Sequence, residues 1–145
     1  MDAVPAIVTE IDATAERRTT PCGGGRLNWR LWGAGPPLVL LHGDFGSWTH
    51  WLRNISALAR HFRLLVPDMP GYGESDAPPT PWSPFSLGEL LAEGAAEILG
   101  PTVRYDVAGF SFGGIIAGHL AAVAPESVRN LVLLGAGGLG LPGSG

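Results

Sequence analysis

Short runs of consecutive apolar residues alternate along this chain with segments whose apolar positions recur at helical spacing. The apolar runs at residues 37–41 and 64–66 predict strands that are buried within a sheet, the first of them on both faces. Residues 103–108 and the largely apolar residues 128–134 predict two further strands. Helical spacing is clearest over residues 48–61. This alternation predicts an α/β fold, a mostly parallel sheet with helices on both faces.

Two further segments carry turn or capping signals. Residues 16–32 predict two short strands around the flexible turn at residues 22–25, which would form an N-terminal antiparallel hairpin. Ser86 and Glu89 have the spacing of a capping box, so we predict a helix from Ser86 to about Leu99. Residues 67–84, rich in proline and glycine, are predicted to form a loop.

A G-x-S-x-G sequence centred on Ser111 lies between a predicted strand and a predicted helix that ends near Pro125. This arrangement is typical of a nucleophile elbow, in which the backbone turns too sharply for bulky neighbours of the serine. Gly109 and Gly113 would provide the necessary space. The serine hydroxyl would then lie beside the N–H groups of a helix N-terminus, which can bind an oxyanion. Because the pentapeptide alone is common by chance, its strand–helix context carries the prediction.

Two more motifs precede the serine. Residues 42–47 read His-Gly-Asp-Phe-Gly-Ser, and residues 67–75 read Pro-Asp-Met-Pro-Gly-Tyr-Gly-Glu-Ser. Together with the elbow, in this order and spacing, they resemble the HG-x-x-G-S and D-x-P-G-x-G-x-S loops of the α/β-hydrolase family. The resemblance covers about residues 17–142. It implies one partial α/β-hydrolase domain over residues 1–145, truncated after about the sixth strand and without the lid and C-terminal strands.

The resemblance also implies roles for individual residues. Ser111 would be the nucleophile, and the oxyanion would bind the backbone N–H groups of Phe112 and Asp44. The Asp44 carboxylate would either face the substrate and select a polar or cationic group, or cap the following helix, which is the favoured interpretation. His42 is expected to be a structural residue bonded to nearby backbone rather than a general base. The residues expected to support the motifs are His42, Gly43, Gly109 and Gly113.

The family places its catalytic acid and histidine after the nucleophile. After Ser111, the only acidic residue is Glu126 and the only histidine is His119, and neither is expected to complete a catalytic triad. Glu126 belongs to a turn beyond the helix, and His119 lies about two helical turns from Ser111 and would point away from it. We therefore expect no triad acid or histidine within this chain. His50 and His61 are expected at the surface or boundary of the helix over residues 48–61.

Composition limits the remaining function classes. Apolar residues make up 46% of the chain and charged residues 15%, which favours a folded core over disorder. The net charge is −4 without a basic run, so nucleic acid is not an expected partner. Cys22 is the only cysteine and the first residues lack a secretory pattern, so we expect a cytoplasmic location. The uncharged residues 107–125 are interpreted as a buried strand, turn and helix rather than a membrane span.

No metal or cofactor is expected. The four histidines and the cysteine lack the paired spacing of metal ligands. Residues 135–140 match the dinucleotide fingerprint G-x-G-x-x-G, but that motif needs a helix directly after it. The following Leu-Pro-Gly-Ser-Gly does not favour a helix, so nucleotide binding is not predicted.

These observations favour a serine hydrolase that acts on a small-molecule ester or related acyl or carbonyl compound through an acyl-enzyme. Amide and carbon–carbon bond cleavage stay open, because relatives with this serine perform them as well. The alternative is a catalytically inactive fragment or a non-enzymatic binding module of the same fold. In either case the last apolar strand would form an open edge, through which we expect the chain to self-associate.

Overall fold

The computed structural model describes residues 4–136, which form a single sheet covered by helices. The six strands are β1 (Glu16–Cys22), β2 (Gly25–Trp32), β3 (Pro37–Leu41), β4 (Arg63–Pro67), β5 (Tyr105–Phe110) and β6 (Val128–Leu134). The four α-helices are α1 (Ala6–Asp12), α2 (Leu52–Leu58), α3 (Pro84–Leu99) and α4 (Phe112–Val123). A short 3₁₀ turn, Trp48–Trp51, leads into α2.

The sheet has the order β1-β2-β4-β3-β5-β6. β1 pairs with β2 in the predicted antiparallel hairpin, and β2 is also antiparallel to β4. The pairs from β4 through β3 and β5 to β6 are parallel. The prediction of a mostly parallel sheet with an N-terminal hairpin is confirmed. The carboxyl ends of β3, β4 and β5 lie together at one edge, and the three motifs follow these strands.

Successive residues of β3 point to opposite faces of the sheet, as strand geometry requires. Leu38 and Leu40 belong to one buried cluster, with α1 and α2, whereas Val39 and Leu41 belong to the other, with α3 and α4. Burial on both faces explains why β3 reads as an unbroken apolar run. Helices on both faces of the sheet, as predicted, are confirmed.

The N-terminal helix α1 was not predicted from the sequence. It is seven residues long and has no side-chain cap, so it lacks the signals by which a helix is recognised. Val8 and Ile11 pack against the cluster that contains Trp32. The Trp32 indole Nε1–H also donates to the carbonyl of Ile11 at 3.2 Å. Tertiary contacts thus accompany a helix that the local sequence does not indicate.

Two predicted boundaries are wrong. Helix α3 begins at Pro84, because Ser83 and Ser86 form the capping box: the Ser83 hydroxyl accepts from the Ser86 N–H at 3.1 Å, and Ser86 Oγ accepts from the Ser83 N–H at 2.8 Å. Glu89 takes no part in the cap. The strand predicted at residues 103–108 is instead Tyr105–Phe110, and it runs directly into the elbow.

Strand β6 forms the outer edge of the sheet within residues 4–136. It pairs with β5 on one side, and no other described strand pairs with it. Its apolar side chains are partly exposed, from 36% at Leu133 to 46% at Val132. The glycine motif at residues 135–140 extends past residue 136, so the prediction made for it falls outside the described residues.

The uncharged segment at residues 107–125 is a strand, a turn and the 12-residue helix α4, as the sequence analysis predicts. None of the helices over residues 4–136 has the length and apolar character needed to span a bilayer.

Candidate active site

The turn between β5 and α4 places Ser111 in an uncommon backbone conformation. Its φ is +55° and its ψ is −119°, whereas β5 ends one residue earlier and α4 begins one residue later. A non-glycine residue with positive φ is strained, and such residues persist where the surrounding structure enforces them, often at functional sites. The side chain is half-buried at this corner. The structure thus shows the sharp strand–turn–helix corner at Ser111 that the sequence predicts.

The two glycines of the motif have steric reasons to be glycine. A Cβ at Gly109 would lie 2.4 Å from the carbonyl oxygen of Gly113, across the turn. A Cβ at Gly113 would lie 2.3 Å from the carbonyl oxygen of Leu41, at the end of β3. Backbone atoms cannot move aside as a flexible side chain can. The elbow therefore closes tightly, and the start of α4 lies directly against the loop after β3.

That loop, residues 42–47, lies beside the serine because β3 and β5 are parallel neighbours. A Cβ built on Gly43 would be 3.0 Å from the Phe110 ring and 3.3 Å from the Phe110 carbonyl oxygen. Phe110 immediately precedes Ser111. The structure thus brings together the loop and the elbow, two motifs that are more than 60 residues apart in the sequence.

Two N–H groups of this loop have hydrogen-bond partners. Gly43 donates to Nδ1 of His50 at 3.0 Å, and Phe45 donates to its neighbour Asp44 Oδ1 at 3.2 Å. By contrast, the N–H groups of Asp44 and of Phe112, the first residue of α4, form no hydrogen bond within the described part of the chain. Both are available to a ligand at the edge of the sheet where Ser111 lies.

His42 is fully buried and holds the loop in place. Its Nε2 accepts a hydrogen bond from the Met69 N–H at 2.9 Å, so the proton is on Nδ1, which donates to the Gly43 carbonyl at 2.7 Å. Burial lowers the pKa of the imidazole below its usual value, which favours the neutral ring. Both nitrogens are engaged, and His42 therefore has no free lone pair to accept a proton from Ser111.

The other histidines near these elements are also engaged. His50 is exposed, and its ring packs edge-on against Phe110 at 5.7 Å between centroids. Its Nδ1 lone pair accepts the Gly43 N–H, a contact that the sequence analysis did not foresee. On α4, Nδ1 of His119 donates to the Ile115 carbonyl at 2.8 Å, and the ring packs against Phe85. In these contacts, neither His42 nor His50 presents a free nitrogen lone pair to Ser111.

Asp44 does not cap the following helix, so the favoured interpretation of its carboxylate is wrong. The cap is Ser47, whose hydroxyl accepts the Thr49 N–H at 3.3 Å. Asp44 lies three residues before the cap, and its Oδ1 instead accepts from the Tyr72 hydroxyl as well as from Phe45. The hydrogen bond to Asp44 is the main cause of a raised Tyr72 pKa, with burial second.

The loop after β4 is held by Asp68 and Ser75. Asp68 is buried, and its carboxylate accepts from the N–H groups of Trp48 at 2.9 Å and Glu74 at 3.0 Å. Ser75 Oγ donates to the Asp68 carbonyl at 2.6 Å. Arg30, 3% exposed, forms an ion pair with Asp68 at 3.4 Å and was not singled out from the sequence. Its place in β2, opposite β4, could not be read from spacing alone.

A cavity of about 220 Å³ opens beside the elbow. It is lined by Met69, Pro70, Gly71, Tyr72, Pro78, Trp82, Leu87 and Phe112. The lining contains no ionised side chain, and the Tyr72 hydroxyl is its main side-chain polar group. Trp82 lies in the cavity wall, whereas Trp48 and Trp51 are buried in the core.

Residues 36–143 match the family described as alpha/beta hydrolase fold, and the chain therefore belongs to the α/β-hydrolase family. It is 38% identical over 128 residues to a 2-hydroxymuconate semialdehyde hydrolase of Pseudomonas sp. (strain CF600), a match covering 82% of this chain and 43% of that protein. It is 37% identical over 107 residues to a pimeloyl-[acyl-carrier protein] methyl ester esterase of Vibrio campbellii, covering 73% and 39%.

Solved structures show the same fold. The epoxide hydrolase CorEH superposes with a TM-score of 0.80 at 30% identity, covering 90% of this chain and 46% of that one. The present chain thus spans less than half the length of each of these three proteins. Homology supports hydrolytic function in general.

Within residues 4–136 there is no group of three or more histidine, cysteine or acidic side chains placed to hold a metal ion.

Proposed function

We propose that this chain supplies the nucleophile and the oxyanion donors of a serine hydrolase that cleaves an ester or a related acyl or carbonyl compound. The observation that carries this proposal is the backbone of Ser111, held at a φ of +55° between β5 and α4. Such strain is often retained at functional sites, and here it places the half-buried Ser111 directly before the N-terminus of α4.

In the proposed reaction Ser111 Oγ attacks the carbonyl carbon of a small-molecule substrate. The carbonyl oxygen becomes an oxyanion and binds the N–H groups of Phe112 and Asp44, which are unoccupied within the described residues. Each donor of this kind contributes about 3 kcal/mol to the transition state. Departure of the protonated leaving group gives an acyl-enzyme, which water then hydrolyses.

The serine needs a general base, and the described residues do not offer one. The Nε2 atom of His42 and the Nδ1 atom of His50 each accept a backbone N–H, and His119 lies two turns along α4. We therefore place the base and its acidic partner in the portion of the fold that this chain does not span. On this account the chain alone has negligible turnover, and the complete catalytic site needs that portion.

Ester cleavage is the preferred activity among those the family allows. One relative is by name a methyl ester esterase, and another hydrolyses a semialdehyde, so carbon–carbon bond cleavage remains a second candidate. Epoxide hydrolases share the fold, and the family resemblance implies that such enzymes use an aspartate as nucleophile. Ser111 at the elbow favours acyl chemistry over epoxide opening.

A chimera tests this proposal directly. Residues 1–136 would be joined to the remaining C-terminal part of the Pseudomonas 2-hydroxymuconate semialdehyde hydrolase, and hydrolysis of p-nitrophenyl acetate would be measured. We expect turnover that Ser111→Ala reduces by about three orders of magnitude or more. Ser127→Ala is the matched control, because Ser127 lies in the turn after α4 and should leave the rate unchanged. Equal rates for Ser111→Ala and the parent chimera would refute the assignment.

The absence of a base among the described residues favours one other candidate, a non-enzymatic binding module of the same fold. The two differ in the reactivity of the serine. A chimera that folds, as judged by circular dichroism and gel filtration, but is not labelled at Ser111 by a fluorophosphonate would favour the binding module.

A further inference from the structure

The cavity beside Phe112 has one charged group at its rim. Tyr72 forms part of its wall, and the Tyr72 hydroxyl donates a hydrogen bond to Oδ1 of Asp44. The Asp44 carboxylate is therefore one hydrogen bond away from the cavity wall. The bond from the Phe45 N–H to the same oxygen fixes the carboxylate from its other side.

Among the described residues, no cationic side chain lines this cavity. The chain has no lysine, and none of its nine arginines lines the cavity. Arg30, which lies under the same loops, is already paired with Asp12, Asp68 and Glu74. His42 packs its ring against Tyr72 and is neutral, with both nitrogens bonded to backbone. The Tyr72 side of the cavity is thus hydrogen-bonded to a carboxylate, and no ionised side chain is among the lining residues.

We propose that this cavity is a binding subsite for a neutral or cationic apolar group, and that Asp44 with Tyr72 excludes carboxylate-bearing ligands from it. The inference rests on the proposed function only in assigning the cavity to the substrate. Aromatic and proline side chains contact the apolar part of the ligand, and a second carboxylate at the rim would face Asp44 without a counter-ion. Asp44 then determines specificity in addition to offering its backbone N–H.

The test uses binding in the Ser111→Ala chain, so that no reaction of the serine intervenes. Three ligands share a benzyl group and differ in charge: phenylacetate, phenylacetamide and 2-phenylethylammonium. Binding would be followed by changes in the backbone amide NMR signals of Tyr72 and Phe112. We expect phenylacetamide and 2-phenylethylammonium to bind about tenfold more tightly than phenylacetate, because only phenylacetate brings a second negative charge near Asp44.

Variants separate charge from packing. Asp44→Asn keeps an acceptor for the Tyr72 hydroxyl but removes the charge, and it should reduce the preference over phenylacetate to about twofold or less. Tyr72→Phe keeps the charge but releases the carboxylate from the cavity wall, and it should weaken the preference in part. Glu89→Gln is the matched control, because it removes one charge from the exposed face of α3. It should leave the preference at its original value.

Three results would overturn the inference. These are equal or tighter binding of phenylacetate in the parent, an unchanged preference in Asp44→Asn, and no binding of any ligand up to about 50 mM. Fluorophosphonate labelling of Ser111 is scored separately in the chimera. A charge preference without labelling would support the subsite and refute the proposed hydrolase function. Labelling without the charge preference would support the hydrolase function and refute the subsite.

Discussion

At the scale of single residues, the site depends on where side chains are absent as much as on Ser111 itself. Gly109 and Gly113 let two backbone segments meet at distances that a methyl group would prevent. The need for glycine at both positions can be predicted from the sequence, because the sharp turn of a G-x-S-x-G motif leaves no space for larger residues. It does not predict that Gly113 faces the carbonyl of Leu41, since that contact depends on how β3 and β5 pair.

The close approach at Gly113 leads to a prediction about stability. Gly113→Ala should lower the free energy of unfolding by about 3 kcal/mol, because the new methyl group meets backbone oxygens that cannot yield. Gly118→Ala lies in the same helix, and its Cβ meets nothing within 4 Å. It should instead stabilise the protein by about 1 kcal/mol, because alanine is the better helix former. Urea denaturation of both variants checks this pair, and similar effects in the two would contradict the packing account.

His42 gives a prediction about pH. Burial lowers its pKa in the folded protein, so the unfolded chain binds a proton at a higher pH than the folded chain does. Stability from this residue is present above pH about 6.5 and is lost as the pH falls below that value. The slope of the free energy of unfolding between pH 7 and 5 should therefore be smaller in His42→Gln than in the parent.

The exposed His61 provides the comparison for that slope. His61→Gln should keep the parental pH dependence, measured by urea denaturation at each pH. An identical slope in His42→Gln and the parent would show that the buried ring does not resist protonation.

At the scale of secondary-structure elements, the apolar runs identified the strands well and the capping signals placed one helix wrongly. β3 and β6 match their predicted ranges. The strands of a parallel sheet have few polar residues, which makes them recognisable in the sequence. Helix α3 begins two residues before the predicted start, because Ser83 and Ser86 both have hydroxyl groups suited to a cap. Local sequence does not decide which serine caps when both lie near a proline.

The capping box predicts a measurable loss. Ser83→Ala should lower the free energy of unfolding by about 1 kcal/mol, because the Ser86 N–H loses its side-chain partner. Ser56→Ala, at an exposed position of α2, makes the same chemical change without a cap and should cost nothing. Thermal melts of the two variants compare them directly. Equal melting temperatures would argue against the cap at Ser83.

At the scale of the whole molecule, the main unusual feature is strand β6, an edge strand with exposed apolar side chains. Within the described residues β6 has one paired edge and one open edge, with apolar residues along it. Open apolar edges associate readily. We therefore predict that the 145-residue chain self-associates, and that Val132→Lys shifts sedimentation toward the monomer. Ala122→Lys adds the same charge on the exposed face of α4 and should not do so. A monomeric parent would contradict this prediction.

The sequence predicted the class of fold and the motif positions, but not the network that joins them. The order of motifs indicated the family because each motif follows a strand whose carboxyl end lies at the same edge of the sheet. The contacts of His50 with Gly43 and of Tyr72 with Asp44 could not be predicted, because each joins residues brought together by tertiary packing. For the same reason the capping role predicted for Asp44 was wrong, since a hydroxyl 28 positions away holds its carboxylate instead.

We propose that Ser111 is a nucleophile whose oxyanion donors are already in place. Fluorophosphonate labelling of the 145-residue chain, with imidazole added as an external base and the site located by peptide mass spectrometry, tests it most directly. We predict that imidazole accelerates labelling at Ser111, that Ser127→Ala behaves like the parent, and that Ser111→Ala abolishes the signal. Labelling of Ser111 no faster than that of the other serines, with imidazole present, would contradict the account.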